Sequence, residues 1–183
     1  MLATAFRAAA AKVNLMSECP AWTPDEGELL VVAPHPDDEV LGAGGLIRAW
    51  AARGSKVSVL SVSDGEASVA DRPAAASARR EELAEALRRL CPTHVSVTRL
   101  GLPDGRIARS RQIALARYPI HTWRGTAADL SGQARWRKFL LTDDARRAKA
   151  RAVQCFRSRP QPRWGHPIPA PSSMEFPYEV FLL

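Results

Sequence analysis

Three short apolar runs, separated by two stretches of helical character, constrain this chain most. The first is Leu29-Leu30-Val31-Val32-Ala33, bounded by Gly27 and Pro34. The second is Lys56 to Val62 (KVSVLSV), and the third is Val95 to Leu100. Short runs rich in branched residues and closed by Gly or Pro read as buried strands. Between them lie Leu41 to Ala52, opened by Gly42, Ala43, Gly44 and Gly45, and Ser77 to Leu90. In the latter, Leu83, Ala86, Leu87 and Leu90 recur at i, i+3, i+4 and i+7, on one helical face. Strand, helix, strand, helix, strand is the pattern of parallel βαβ units. The chain is therefore expected to form an α/β fold with a doubly wound, mainly parallel, Rossmann-like sheet. One domain over residues 1–183 is expected, best supported over residues 29–105.

Beyond Gly105 the pattern weakens. Tyr118-Pro119-Ile120 reads as a strand end, and Leu130 to Leu141 is weakly patterned. Asp143 to Phe156 reads as a helix with acids in its first turn, as the helix dipole favours. Residues 158–173 carry Pro160, Pro162, Pro167, Pro169 and Pro171 and read as an extended loop. Glu179 to Leu183 reads as a last strand.

The 183 residues contain no run of about 18 apolar residues, so no transmembrane helix is expected. Residues 1–28 read as an amphipathic helix and a turn-rich lead-in, and Arg7 and Lys12 break any secretory apolar centre. The three cysteines, Cys19, Cys91 and Cys155, form no CxxC pair, which fits a reducing cytoplasm. The net charge is +7, and Arg106 to Arg163 holds 15 basic residues against three acids. With no recognisable nucleic-acid module beside them, these arginines read as solvated faces, and a nucleic-acid partner is disfavoured. A small-molecule partner is expected and the oligomeric state is left open.

The chemistry concentrates in Pro34-His35-Pro36-Asp37-Asp38-Glu39, directly after the first strand. Open α/β sheets keep their sites at the carboxyl ends of strands. An imidazole and a carboxylate both suit Zn²⁺. His35 and Asp38, three residues apart, can face one ion in a tight turn. Asp37 is then free to act on a metal-bound water. The alternative is that Asp37, Asp38 and Glu39 merely cap the following helix. A dinucleotide site is excluded, because Gly42-Ala43-Gly44-Gly45 lacks the G-x-G-x-x-G spacing and three acids before it would repel phosphate.

The stretch VVAPHPDDEVLGAGGLI resembles the signature of the LmbE/PIG-L family of zinc-dependent N-acetylglucosaminyl deacetylases. The resemblance continues through Asp64-Gly65-Glu66, Arg79-x-x-Glu82-Leu83 and Leu102-Pro103-Asp104-Gly105. It implies one Zn²⁺ per chain held by His35 and Asp38, with Asp37 as the general base that later protonates the leaving amine. It implies that Arg79 and Asp104 contact sugar hydroxyls of an N-acyl amino sugar or related amide. Taken singly, Arg79 reads as an i,i+3 partner of Glu82 and Asp104 as part of a Pro-Asp-Gly turn.

One part of the family pattern is missing. Its second motif, His-Pro-Asp-His, is absent, and only Arg106 to Arg117 joins Leu-Pro-Asp-Gly to Tyr-Pro-Ile. A catalytic zinc normally has three protein ligands. Of the remaining histidines, His121 is the best third ligand, His166 lies in the proline-rich loop, and His94 falls at the wrong end of the third strand. The expected function is thus removal of an acetyl group from an amine nitrogen. The alternative is a degenerate, catalytically inactive member or an internally deleted remnant.

Overall fold

The computed structural model describes residues 18–66, 72–91, 93, 95–103, 136–158 and 177–182. Its centre is a parallel sheet in the order β1 (Leu29–Ala33), β2 (Val57–Ser61), β3 (Ser96–Arg99). The register aligns Val31 with Val59 and Ala33 with Ser61 across β1 and β2. Val59 in turn aligns with Val97 of β3. The crossovers are α1 (Asp38–Ala52) and α2 (Arg72–Leu90). This is the parallel α/β arrangement the sequence predicts.

Helix α2 starts five residues before Ser77, with Pro73 in its first turn, where a missing N–H costs nothing. Helix α1 starts at Asp38 rather than Leu41, so the acids of the His-Pro-Asp-Asp-Glu stretch form its first turn. A third helix, α3 (Asp143–Val153), is capped by the Thr142 hydroxyl, which accepts the Ala145 N–H at 3.2 Å.

The stretch read as weakly patterned contains a strand, β4 (Trp136–Leu140), antiparallel to β5 (Tyr178–Leu182). Pro20 to Trp22 runs along β4, through Trp22 N–H to Lys138 O and Lys138 N–H to Pro20 O. The ring of Trp22 lies 5.3 Å from that of Phe181.

One cluster joins the buried strand face (Val31, Val57, Val59) to Val40, Ile47 and Trp50 of α1, Leu83 and Leu87 of α2, Ala148 and Ala152 of α3, and Phe139 and Phe181 of the ribbon. Leu30, on the opposite face, is 57% exposed. The described helices thus cover one face of the sheet and fix β1 beneath α1. Residues 1–17, with the expected N-terminal helix, lie outside the described residues, as do residues 118–120 and 159–176.

Candidate active site

The three strands end together, and their backbone ladder continues past the strand ends. Val62 N–H bonds to Ala33 O, Ser63 N–H to Pro34 O, and Leu102 N–H to Val62 O. The loops after β1 and β2 are thereby laid side by side. The Ser63 hydroxyl adds a bond to Pro34 O at 2.8 Å and accepts the Gly65 N–H at 3.2 Å.

After β1 the chain makes a tight turn. Asp38 N–H bonds to His35 O at 3.2 Å, with Pro36 and Asp37 between them. Proline suits the first central position of such a turn, and a type II turn demands positive φ at the second. Asp37 meets that demand with φ 124°, among the described residues the one non-glycine in this region. A side chain there costs about 1–3 kcal/mol, and such strain gathers at functional sites.

The turn is tied down by its own carboxylates. Asp38 Oδ2 accepts the His35 backbone N–H at 3.2 Å and lies 3.1 Å from His35 Nδ1. Asp37 N–H points to the Glu39 carboxyl, 3.2 Å from Oε1 and 3.4 Å from Oε2. Asp37, at the N-cap position of α1, makes no side-chain capping bond. The bland capping alternative therefore does not describe Asp37. All three acids are buried, Glu39 completely. Burial, reinforced by the charges of Asp37 and Asp38, pushes the Glu39 carboxyl up to about 8.

The β2 loop brings the second group of residues. Gly65 has φ +67°, and a Cβ there would run into the Arg79 guanidinium and lie 3.5 Å from His35 Cβ. Arg79, on α2 and 6% exposed, is thus laid against Gly65 beside His35. Asp64 Oδ2 accepts from Arg80 at 2.9 Å, while its buried Oδ1 has no hydrogen-bond partner among the described residues. Glu82, read from sequence as the i,i+3 partner of Arg79, accepts the backbone N–H groups of Arg157 and Ser158 and the Ser158 hydroxyl. The structure therefore brings His35, Asp37, Asp38 and Arg79 to one end of the sheet. Asp104, His121, His94 and His166 lie outside the described residues.

Two ligands bound to a tetrahedral zinc at about 2.0–2.2 Å stand roughly 3.3–3.6 Å apart. The 3.1 Å between His35 Nδ1 and Asp38 Oδ2 is close to that edge. Among the described residues no group of three or more His, Cys, Asp or Glu side chains is placed to hold a metal ion. The pair is spaced to fit two corners of a metal site, and the described residues supply no third donor beside it.

Sequence reasoning missed one supporting pair. Helix α1 is interrupted at Ala43 (φ −136°, ψ 15°). The freed Gly45 and Leu46 N–H groups bond to the Glu179 carboxylate of β5 at 2.6 and 2.9 Å. Lys149 of α3 meets the same carboxylate at 2.7 Å, with both side chains buried. Gly45 must be small, because a Cβ there would strike Leu141 and crowd Glu179 Oε1 at 3.1 Å. The available signal was a lone Glu inside an apolar terminal run, YEVFL.

Among solved structures, 4-carboxy-2-hydroxymuconate hydratase from Pseudomonas putida is 28% identical over 46% of this chain and 38% of its own, with a TM-score of 0.41. The N,N'-diacetylchitobiose deacetylase of Pyrococcus horikoshii is 28% identical over 55% of this chain and 40% of its own, TM-score 0.44. A conserved protein of Thermus thermophilus is 25% identical over 73% of this chain and 80% of its own, TM-score 0.47. The chain thus spans well under half the length of the first two. No curated protein sequence matches it. The family model described as PIG-L, GlcNAc-PI de-N-acetylase, matches residues 30–161, which include the His35–Glu39 turn, Gly65 and Arg79. This chain therefore belongs to the PIG-L family.

Proposed function

We propose that the chain is a single-domain hydrolase that removes an acetyl group from the nitrogen of an N-acetylglucosaminyl-type small molecule. The observation that carries this reading is the His35–Asp38 turn at the carboxyl end of β1. It sets an imidazole nitrogen 3.1 Å from a carboxylate oxygen and strains a second carboxylate residue, Asp37, into positive φ beside them. His35 and Asp38 would hold a zinc ion, with His121 as the third ligand. When bound, such an ion lowers the pKa of a coordinated water and polarises an acyl oxygen. Asp37 takes the proton of the attacking water and returns it to the amine nitrogen as the C–N bond breaks, so that acetate and a free amine result. Arg79 and Asp104 bind the sugar hydroxyls.

The three cysteines are buried and form no disulfide, which supports placement in a reducing compartment such as the cytoplasm. No helix among the described residues is long and apolar enough to cross a membrane.

A second reading, an inactive member with an incomplete site, is favoured by one observation: the sequence carries no His-Pro-Asp-His motif to supply a third donor. Zinc content separates the two. The purified protein should carry close to one zinc per chain, and His35→Ala should lose it. Negligible zinc in both would establish the inactive reading.

A further inference from the structure

We propose that Glu39 is a positioning residue that holds the Asp37 backbone in its left-handed conformation and thereby aims the Asp37 carboxylate into the site. Asp37 sits where a turn of this shape favours glycine, since only glycine adopts positive φ without cost. The strain persists only if its surroundings over-determine it. Three restraints meet at Asp37. Pro36 fixes the entry into the turn. Leu41 N–H bonds to Asp37 O at 2.9 Å, which commits the carbonyl to α1. The Asp37 N–H, the remaining backbone group, lies within reach of both oxygens of Glu39.

That carboxyl is an unusual acceptor. It is fully buried, on the residue two positions further along, inside the first turn of α1. A relaxed Asp37 would turn its N–H away from Glu39 and leave a buried carboxyl without this donor, which is costly. Glu39 thus penalises the relaxed turn. Pairing of the Asp37 N–H with a distant carbonyl would not tie it to α1 in this way, because Glu39 moves with the helix that carries Asp38. The His35–Asp38 contact and the Asp37 conformation are therefore set by one rigid unit.

A double-mutant cycle tests this on the metal-free protein and needs no activity. Asp37→Gly relieves the strain and should lower the unfolding equilibrium constant about fivefold. The same change should give that gain in a Glu39→Gln background, where an acceptor oxygen remains. In Glu39→Met the turn is free to relax, so Asp37→Gly should change the constant by less than about twofold. An equal gain in all three backgrounds, or no gain in any, overturns the proposal. If Glu39→Met does not fold, hydrogen exchange of the Asp37 amide decides. It should be protected at least about 100-fold in the wild type and in Glu39→Gln, and fast exchange in the wild type overturns the proposal.

That Asp37 carries protons rests on the function proposed above; that Glu39 holds its backbone does not. In the enzyme assay Glu39→Met should lower kcat with KM kept, and Glu39→Gln should restore kcat. If Asp37→Asn proves as active as the wild type, the functional reading fails while the stability cycle still judges Glu39.

Discussion

Replacement of Glu179 by Leu probes the joint that carries the site-bearing helix. The substitution removes one carboxylate and strips three donors at once: Gly45 N–H, Leu46 N–H and the Lys149 ammonium, at 2.6, 2.9 and 2.7 Å. The two ionic side chains are 8% and 2% exposed, so water cannot replace the lost partner. Removal of one member of such a buried pair costs about 3–5 kcal/mol. The two helix N–H groups share the same carboxylate, so their loss overlaps with this figure rather than adding to it. A total of about 4 kcal/mol follows, a large part of the 5–15 kcal/mol that holds a typical domain together. With a urea dependence near 2 kcal/mol per M, the unfolding midpoint should fall by about 2 M. Adding Lys149→Met should recover part of the loss, because an apolar pair can replace a buried ionic one. A midpoint shift under about 0.5 M, or strict additivity of the two changes, would refute the reasoning.

Two further perturbations bear on the turn itself. The Glu39 carboxyl is raised to about 8 in the folded protein from an ordinary value of 4.5. Between those pH values the native state binds more protons than the unfolded chain, so stability declines as pH rises from about 4.5 to 8. In metal-free protein, Glu39→Gln should therefore gain a few kcal/mol on the wild type between pH 5 and pH 8; parallel unfolding profiles would contradict this. Gly65→Ala should cost more than Gly54→Ala, although both glycines have positive φ. A Cβ at Gly54 meets nothing within 4 Å, whereas one at Gly65 displaces the Arg79 guanidinium. Urea denaturation of both variants should show an excess of about 1 kcal/mol at Gly65, and equal costs would place Arg79 elsewhere.

The parts of the fold that obey local rules were legible in the sequence. Leu29–Ala33 announced β1 by a continuous apolar run, and Leu83, Ala86, Leu87 and Leu90 announced α2 by their helical spacing. The His-Pro-Asp-Asp-Glu stretch, directly after a buried strand, marked the turn on which the candidate site is built. What depends on distant pairing was not legible. Strand β4 has only Trp136 and Phe139 buried and becomes a strand through β5, about forty residues on. The glycines of α1 read as a soft helix start. The structure shows them instead as the seat for Glu179, 134 positions away from Gly45. Of the capping alternative for the three acids, Asp38 and Glu39 do stand in the first turn of α1, whereas the Asp37 side chain makes no capping bond. Here the backbone, through positive φ, carries the information, and no residue pattern except Pro-Asp in a turn hinted at it.

Acetate release tests the central claim most directly. Protein loaded with zinc should release acetate from an N-acetylglucosamine derivative, a chelator should stop it, and Asp37→Asn should lower turnover about 100-fold or more while zinc content is kept. Release that survives both the chelator and Asp37→Asn, or no release from fully zinc-loaded protein across a panel of N-acetylated amino sugars, would contradict the assignment of this turn as a deacetylase site.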